Sequence, residues 1–155
     1  MGAGANYIIR TGDPTAAEVR ALIAELDAIG SALYPAESNH FDPPETLVAA
    51  GALFLVCERA GALVGCGAAK NCGGWSEIKR MYLKPEARGS GIAQALLGQL
   101  LEWSRRQGLP LARLEAGVAS LDALKLYRRA GFVEIAAFPP YKPDPLSVFM
   151  ECPLR

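Results

Sequence analysis

The feature that most constrains the fold is the run from Ala52 to Pro85, "ALFLVCERAGALVGCGAAKNCGGWSEIKRMYLKP". Two apolar runs flank "ERAGA", a hairpin-turn signal. After "NCGG" the alternation in "WSEIKRMYLK" predicts a third consecutive antiparallel strand, which Pro85 ends. Upstream, "NYIIRTG" reads as a first strand closed by Gly12. Asp13 is expected to cap a helix with Pro14 at its first position and Val19, Leu22, Ile23, Leu26 and Ile29 as its apolar stripe, stopped by Gly30. Pro35, Pro43 and Pro44 break the pattern up to a short helix from about Glu45 to Ala50, which makes this stretch a candidate flexible wall.

Downstream of the meander a helix from about Gly89 to Gln107 places Ile92, Leu96, Leu97, Leu100, Leu101 and Trp103 toward the core, and Gly108 terminates it. "LARLEA" is a strand, and "SLDALKLYRRAG" is a helix with Ser120 as N-cap and Gly131 as C-cap. "FVEIAAF" is a strand, "PPYKPDP" a loop, and "LSVFMECPL" the closing strand. The resulting order is one strand, two helices, three strands, helix, strand, helix and two strands. That is an α/β domain around a mixed sheet.

At 155 residues the chain fits one domain, expected over 5–154, large enough to bury roughly 70% of its unfolded surface. The 16 Lys and Arg balance the 16 Asp and Glu, so no global charge draws the chain to nucleic acid or an anionic membrane. No apolar run approaches a membrane span, and "MGAGANYIIR" lacks the features of a signal peptide, so the expected compartment is the cytoplasm. Cys57, Cys66, Cys72 and Cys152 form no C-x-x-C pair, and His40 is the only histidine. Buried or idle thiols are expected, with Cys72 the most exposed, and no metal.

The turn "KPEARGSGIAQALL" places glycines at the head of a strong helix, against helix propensity. The first helical N–H groups lack intrahelical partners, and glycine leaves them unshielded. With the positive end of the helix dipole and Arg88 at the rim, the turn suits an anion such as pyrophosphate. The alternative is a tight turn serving packing alone. A dinucleotide fingerprint fits poorly because Gln94 stands at its third glycine position, although Glu115 sits where a ribose-binding acid would be. A Walker loop is excluded by the absence of G-K-S or G-K-T.

Two signatures then carry a resemblance. "RGSGIA" matches [RQ]-x-x-G-x-[GA], with Arg88, Gly91 and Ala93 in the defining places, and "DALKLYRRAGF" matches A-x-x-L-Y-x-[KR]-x-G-F. The chain thus resembles the Gcn5-related N-acetyltransferases. The resemblance implies an acyl-CoA N-acyltransferase fold, a mixed and mostly antiparallel sheet of about six to seven strands flanked by about four helices. It implies acetyl-CoA as co-substrate, its pyrophosphate held by amides of Arg88, Gly89, Ser90, Gly91, Ile92, Ala93 and Gln94. Its pantetheine would pair like an extra strand with Met81, Tyr82 and Leu83. Ser120 stands where many relatives have Asn. A gap between the strands carrying "MYL" and "LEA" would receive the acetyl group. A homodimer is a further expectation of the resemblance.

An alkyl ammonium with a pKa near ~10 must lose a proton before it can attack a thioester. Glu77 is the first candidate base and Glu115 the second, while Lys79, Arg80 and Arg113 are possible ion-pair partners that would make either carboxylate structural. Tyr127 matches the family tyrosine that protonates the leaving thiolate. Packing on the neighbouring helix is its alternative role. A backbone N–H near Leu83 could polarise the thioester carbonyl. Acceptor specificity is expected from "YPAESNHFDPP", "NCGGWS" and "FPPYKPDP", with His40, Trp75 and Tyr141 as pocket candidates and Lys142 and Arg80 able to attract a carboxylate. The reading is an acetyl-CoA-dependent N-acetyltransferase acting on a primary amine of a small molecule or peptide by direct attack. The alternative is a coenzyme A-binding sensor without turnover.

Overall fold

The computed structural model describes residues 6–155, so the expected domain boundary at Ala5 lies outside the described residues. Its elements are β1 (Tyr7–Thr11), α1 (Ala17–Leu33), α2 (Pro44–Ala49), β2 (Leu53–Arg59), β3 (Ala62–Asn71), β4 (Ser76–Leu83), α3 (Ile92–Arg106), β5 (Leu111–Gly117), α4 (Leu121–Arg129), β6 (Val133–Ile135) and β7 (Ser147–Pro153). The seven strands form one sheet in the order β1-β2-β3-β4-β5-β7-β6. All neighbours are antiparallel except β4 and β5, which are parallel across the α3 crossover. This is the acyl-CoA N-acyltransferase fold expected from the sequence.

Strand alternation divides the core into two layers. On β2, Phe54 and Val56 face Val19, Leu22 and Ile23 of α1. Leu55 and Cys57 face the opposite layer, where α3 contributes Ile92, Leu96, Leu97 and Leu100. These α3 side chains are almost fully buried, each contributing on the order of 1.5–3 kcal/mol of transfer free energy. Cys57, Cys66 and Cys152 are buried and Cys72 half-buried, as the sequence predicts. Among the described residues no helix is long and apolar enough to cross a membrane.

Several boundaries differ from the sequence reading, each for a local reason. Asp13 does not cap α1: its carboxylate accepts from the Thr15 amide at 2.9 Å, closing a separate turn, and the helix starts four residues later at Ala17. Gly30 does not stop α1, which continues to Leu33, and Ile29 lies exposed beyond the apolar stripe. The helix expected from Gly89 begins at Ile92, because Gly89 and Gly91 have φ of 78° and 83°, outside the helical region. "FVEIAAF" pairs only over Val133–Ile135. Gly131 follows the C-cap residue Ala130 with φ of 105°, closing α4 one position beyond its cap.

Candidate active site

The site begins where the sheet fails to close. β4 and β5 pair only at Ser76–Ala112 and Glu77–Arg113, and beyond those residues the strands diverge. The closed end is pinned by the buried Ser76 and Ser104 hydroxyls, 2.6 Å apart. On the other side of β4, a bulge sets Arg80 and Met81 opposite Gly67 alone. Arg80 takes a φ of 57° to make it. Such a bulge increases strand twist and bends β4 away from β5. Gly67 has a packing reason too, since a Cβ there would lie 2.7 Å from the Met81 sulfur.

At the wide end of the wedge, β4 leads into the turn before α3. The Arg88 amide, expected among the donors, is taken by the Pro85 carbonyl at 3.2 Å, whereas among the described residues the amides of Gly89, Ser90, Gly91, Ile92, Ala93 and Gln94 donate to no protein group, and the first backbone bond of the helix runs from the Ala95 N–H to the Gly91 carbonyl at 3.1 Å. The space beside Gly89 and Gly91 is open, with nothing within 4 Å of a notional Cβ. Unpaired amides at the positive end of a four-turn helix form a site for an anionic group. Arg88 turns its Nε toward the Leu83 carbonyl at 3.1 Å, bracing the turn against the end of β4. These residues fit the pyrophosphate of coenzyme A, and the unpaired edge of β4 from Ile78 to Leu83 fits its pantetheine.

A cavity of about 190 Å³ runs into the wedge, lined among others by Met81, Gly117, Ser120, Tyr127, Glu77 and Glu115. Tyr127, from α4, is buried against Phe132 at 5.8 Å between centroids. Burial, and secondarily the charge of Glu115, raises its phenol well above the ordinary value, so the proton stays on the oxygen. Among the described residues its hydroxyl has no hydrogen-bond partner, which leaves the donor free inside the cavity. Burial likewise raises the Glu115 carboxyl, against the Ser147 hydroxyl that donates to it at 2.7 Å.

Glu77 lies at the closed end of the wedge and lines both this cavity and a second one of about 590 Å³. Its carboxylate accepts from the Tyr141 hydroxyl in a short hydrogen bond and from Lys79 Nζ at 3.4 Å. Lys79 also contacts the Tyr141 hydroxyl at 3.1 Å and the Asp42 carboxylate. His40 stands edge-on to the Tyr141 ring at 5.0 Å. Burial first, and Glu77 second, hold the Tyr141 phenol protonated, so it can only donate to Glu77. Three chain segments thus converge on one carboxylate: the stretch before α2, β4, and the loop before β7.

The expected site residues fare unequally. Met81, Ser120, Tyr127, Glu77, Glu115, His40 and Tyr141 come together around the two cavities. Trp75 does not line either one: its ring covers the Arg113 guanidinium at 4.7 Å and meets Phe138 edge-on. Arg80 is not free for a substrate carboxylate, because its guanidinium pairs with Asp27 at 2.6 Å and with the Asp42 carbonyl at 2.8 Å. Ser120 occupies the N-cap position of α4 without a side-chain cap, and its hydroxyl lies 3.4 Å from that of Tyr34.

Tyr34 opens the segment "YPAESNHFDPP" expected to bear on acceptor specificity, but nothing in the sequence singles it out. It follows the C-terminus of α1, accepts from the Ala119 N–H at 3.0 Å, and lays its ring over Gly117, where a Cβ would meet the phenolic oxygen at 2.0 Å. Only Gly117 at the end of a strand signals this contact in the sequence.

An open parallel wedge, an amide cradle at its wide end and a buried tyrosine and carboxylate in its walls form an arrangement that suits an acyl-CoA co-substrate. The sequence profile of the acetyltransferase (GNAT) family matches residues 20–132, and the chain belongs to that family. An IAA acetyltransferase from Azospirillum brasilense is 44% identical over 151 residues, covering 96% of this chain and 99% of the relative. A crystal structure from Klebsiella pneumoniae assigned to the acyl-CoA N-acyltransferases superposes with a TM-score of 0.82 at 40% identity, over 98% of this chain and 100% of that one. The PaiA N-acetyltransferase from Thermoplasma acidophilum, solved in complex with coenzyme A, shares the fold with a TM-score of 0.72 at 21% identity, over 95% and 98% of the two chains.

Proposed function

We propose that the chain transfers the acetyl group of acetyl-CoA to a primary amine, with Glu77 as general base and Tyr127 as acid. The observation that carries this reading is the placement of a free Tyr127 hydroxyl and the Glu77 carboxylate in the walls of one cavity, which Met81 on the open edge of β4 also lines. Acetyl-CoA would supply a thioester activated for acyl transfer. The amides from Gly89 to Gln94 hold its phosphates, and the free edge of β4 around Met81 and Leu83 aligns the pantetheine.

Glu77 reaches both cavities, so it can take a proton from an ammonium arriving through the larger one while facing the wedge. The nitrogen then forms the N–C bond as the C–S bond breaks. Tyr127 meets the developing negative charge on sulfur with its O–H. The burial that keeps this phenol protonated also disfavours a bare thiolate, which draws the proton toward sulfur. The proton shed by the nitrogen as the amide forms replaces it, and one proton per turnover passes through Glu77 to solvent. Tyr141, donating to Glu77, orients the carboxylate.

Calorimetry with acetyl-CoA, followed by thiol release over an amine panel, tests the reading. Tyr127→Phe and Glu77→Gln are each expected to lower kcat by about 10²-fold or more while leaving acetyl-CoA affinity near that of the parent. Tight binding of acetyl-CoA without turnover on any amine would instead support a coenzyme A sensor. Unchanged kcat in both variants would remove their assigned roles.

A further inference from the structure

We propose that the acceptor is a small free amino acid, its ammonium directed at Glu77 and its carboxylate held by Lys70 with Lys142. This rests on the N-acetyltransferase reading and narrows its substrate. The larger cavity, about 590 Å³, carries charges of both signs: Glu37, Asp42, Glu77 and Asp144 against Lys70, Lys79 and Lys142.

Most of those charges already have partners. Lys79 is held between Glu77 and Asp42, and Asp144 accepts from the Leu146 N–H at 2.9 Å. Glu37 makes no ion pair among the described residues, and of the three cations Lys70 and Lys142 differ from Lys79. Among the described residues neither takes part in an ion pair, although both line the cavity.

The position of Lys70 is set by the ladder. It stands directly opposite Glu77 in the β3–β4 register, so the two side chains share a face with Cβ atoms about 5 Å apart. A half-buried lysine beside a buried carboxylate that has turned to Tyr141 and Lys79 is an unanswered cation next to the proposed base. An α-amino acid carries its own ammonium and carboxylate on one carbon, matching that juxtaposition. A plain alkyl amine would satisfy Glu77 and leave Lys70 without an anion. A lysine side chain of a protein would do the same, because its ammonium has no carboxylate within several bonds. His40, Phe41, Pro140 and Tyr141 form apolar and aromatic walls for the amino acid side chain.

The test uses the full chain at saturating acetyl-CoA, comparing free α-amino acids with the matching α-amino amides and decarboxylated amines by thiol release. The amide keeps the amine and loses only the anionic charge. Because its amine is less basic, any advantage of the acid reflects recognition of the carboxylate. The acids are expected to exceed the amides in kcat/KM by about 10-fold or more. Lys70→Gln should shrink that ratio toward one, acting through KM, and Lys70→Arg should preserve it.

Equal turnover of acids, amides and plain amines would overturn this inference while leaving the transferase reading standing. So would a ratio insensitive to Lys70→Gln in a variant that unfolds at the parent temperature. Turnover of none of the three classes, with acetyl-CoA bound, would overturn both.

Discussion

The two flanks of β4 make opposite use of one strand. Toward β3 it pairs from Ser76 to Leu83, interrupted only by the bulge, and its neighbours approach closely enough that Gly65 and Gly67 have no room for a side chain. Toward β5 it makes two pairs and then leaves the ladder open. The closed flank supplies the rigidity against which the open flank can hold a gap without unfolding, since unpaired edges persist only when the rest of the strand is fixed. A strand that is ladder on one flank and mostly open edge on the other accounts for a bulge placed just beyond the last pair with β5.

This contrast predicts that steric collisions cost more on the closed flank than on the open one, even at shorter distances. Gly67→Val places its Cβ 2.7 Å from the Met81 sulfur and 3.0 Å from Leu100 Cδ1, on the side of the sheet packed by α3. Its unfolding free energy should fall by about 1–3 kcal/mol in urea titration. Gly117→Ala meets Tyr34 at 2.0 Å, nominally worse. There the ring can swing away from the wedge, so the cost should be limited to about 1 kcal/mol for the hydrogen bond from Ala119. A larger loss at Gly117 than at Gly67 would break the comparison.

The smallest effect should come from charge in the open flank. Burial holds the Glu115 carboxyl above its ordinary value of 4.5, so between that value and the raised one the folded chain binds more protons than the unfolded chain. Stability therefore falls as pH rises through that window. Glu115→Gln should stabilise the chain at neutral pH, and the gain should vanish below about pH 4.5. Parallel Tm profiles for parent and variant would show a Glu115 that titrates normally.

The sequence disclosed the parts of the molecule governed by local rules. Hydrophobic alternation and glycine placement were enough for the meander, for α3 and for the cradle, because strand period and helix-start chemistry act over a few residues. The paired signatures pointed to Tyr127 and to the gap between "MYL" and "LEA". What escaped was set at long range. Arg80 is consumed by Asp27, 53 residues away, and Trp75 is turned away from the cavities by Arg113. Tyr34 reaches Ala119 across 85 residues, with no periodicity to announce it. The pairing of Lys70 with Glu77 depends on a register that the bulge shifts, and a bulge held by an arginine rather than a glycine leaves no compositional mark.

The amide cradle has a consequence for how such chains diverge. Its recognition atoms belong to the main chain, so nearly any substitution at Ser90 or Gln94 leaves the donors in place while the turn keeps its two left-handed glycines. The larger cavity is lined by side chains, and under the proposed reading an exchange at Lys70, His40 or Tyr141 would change the acceptor it admits. On the proposed reading, donor recognition would then depend little on side-chain identity, and acceptor choice could change by single replacements on the same scaffold.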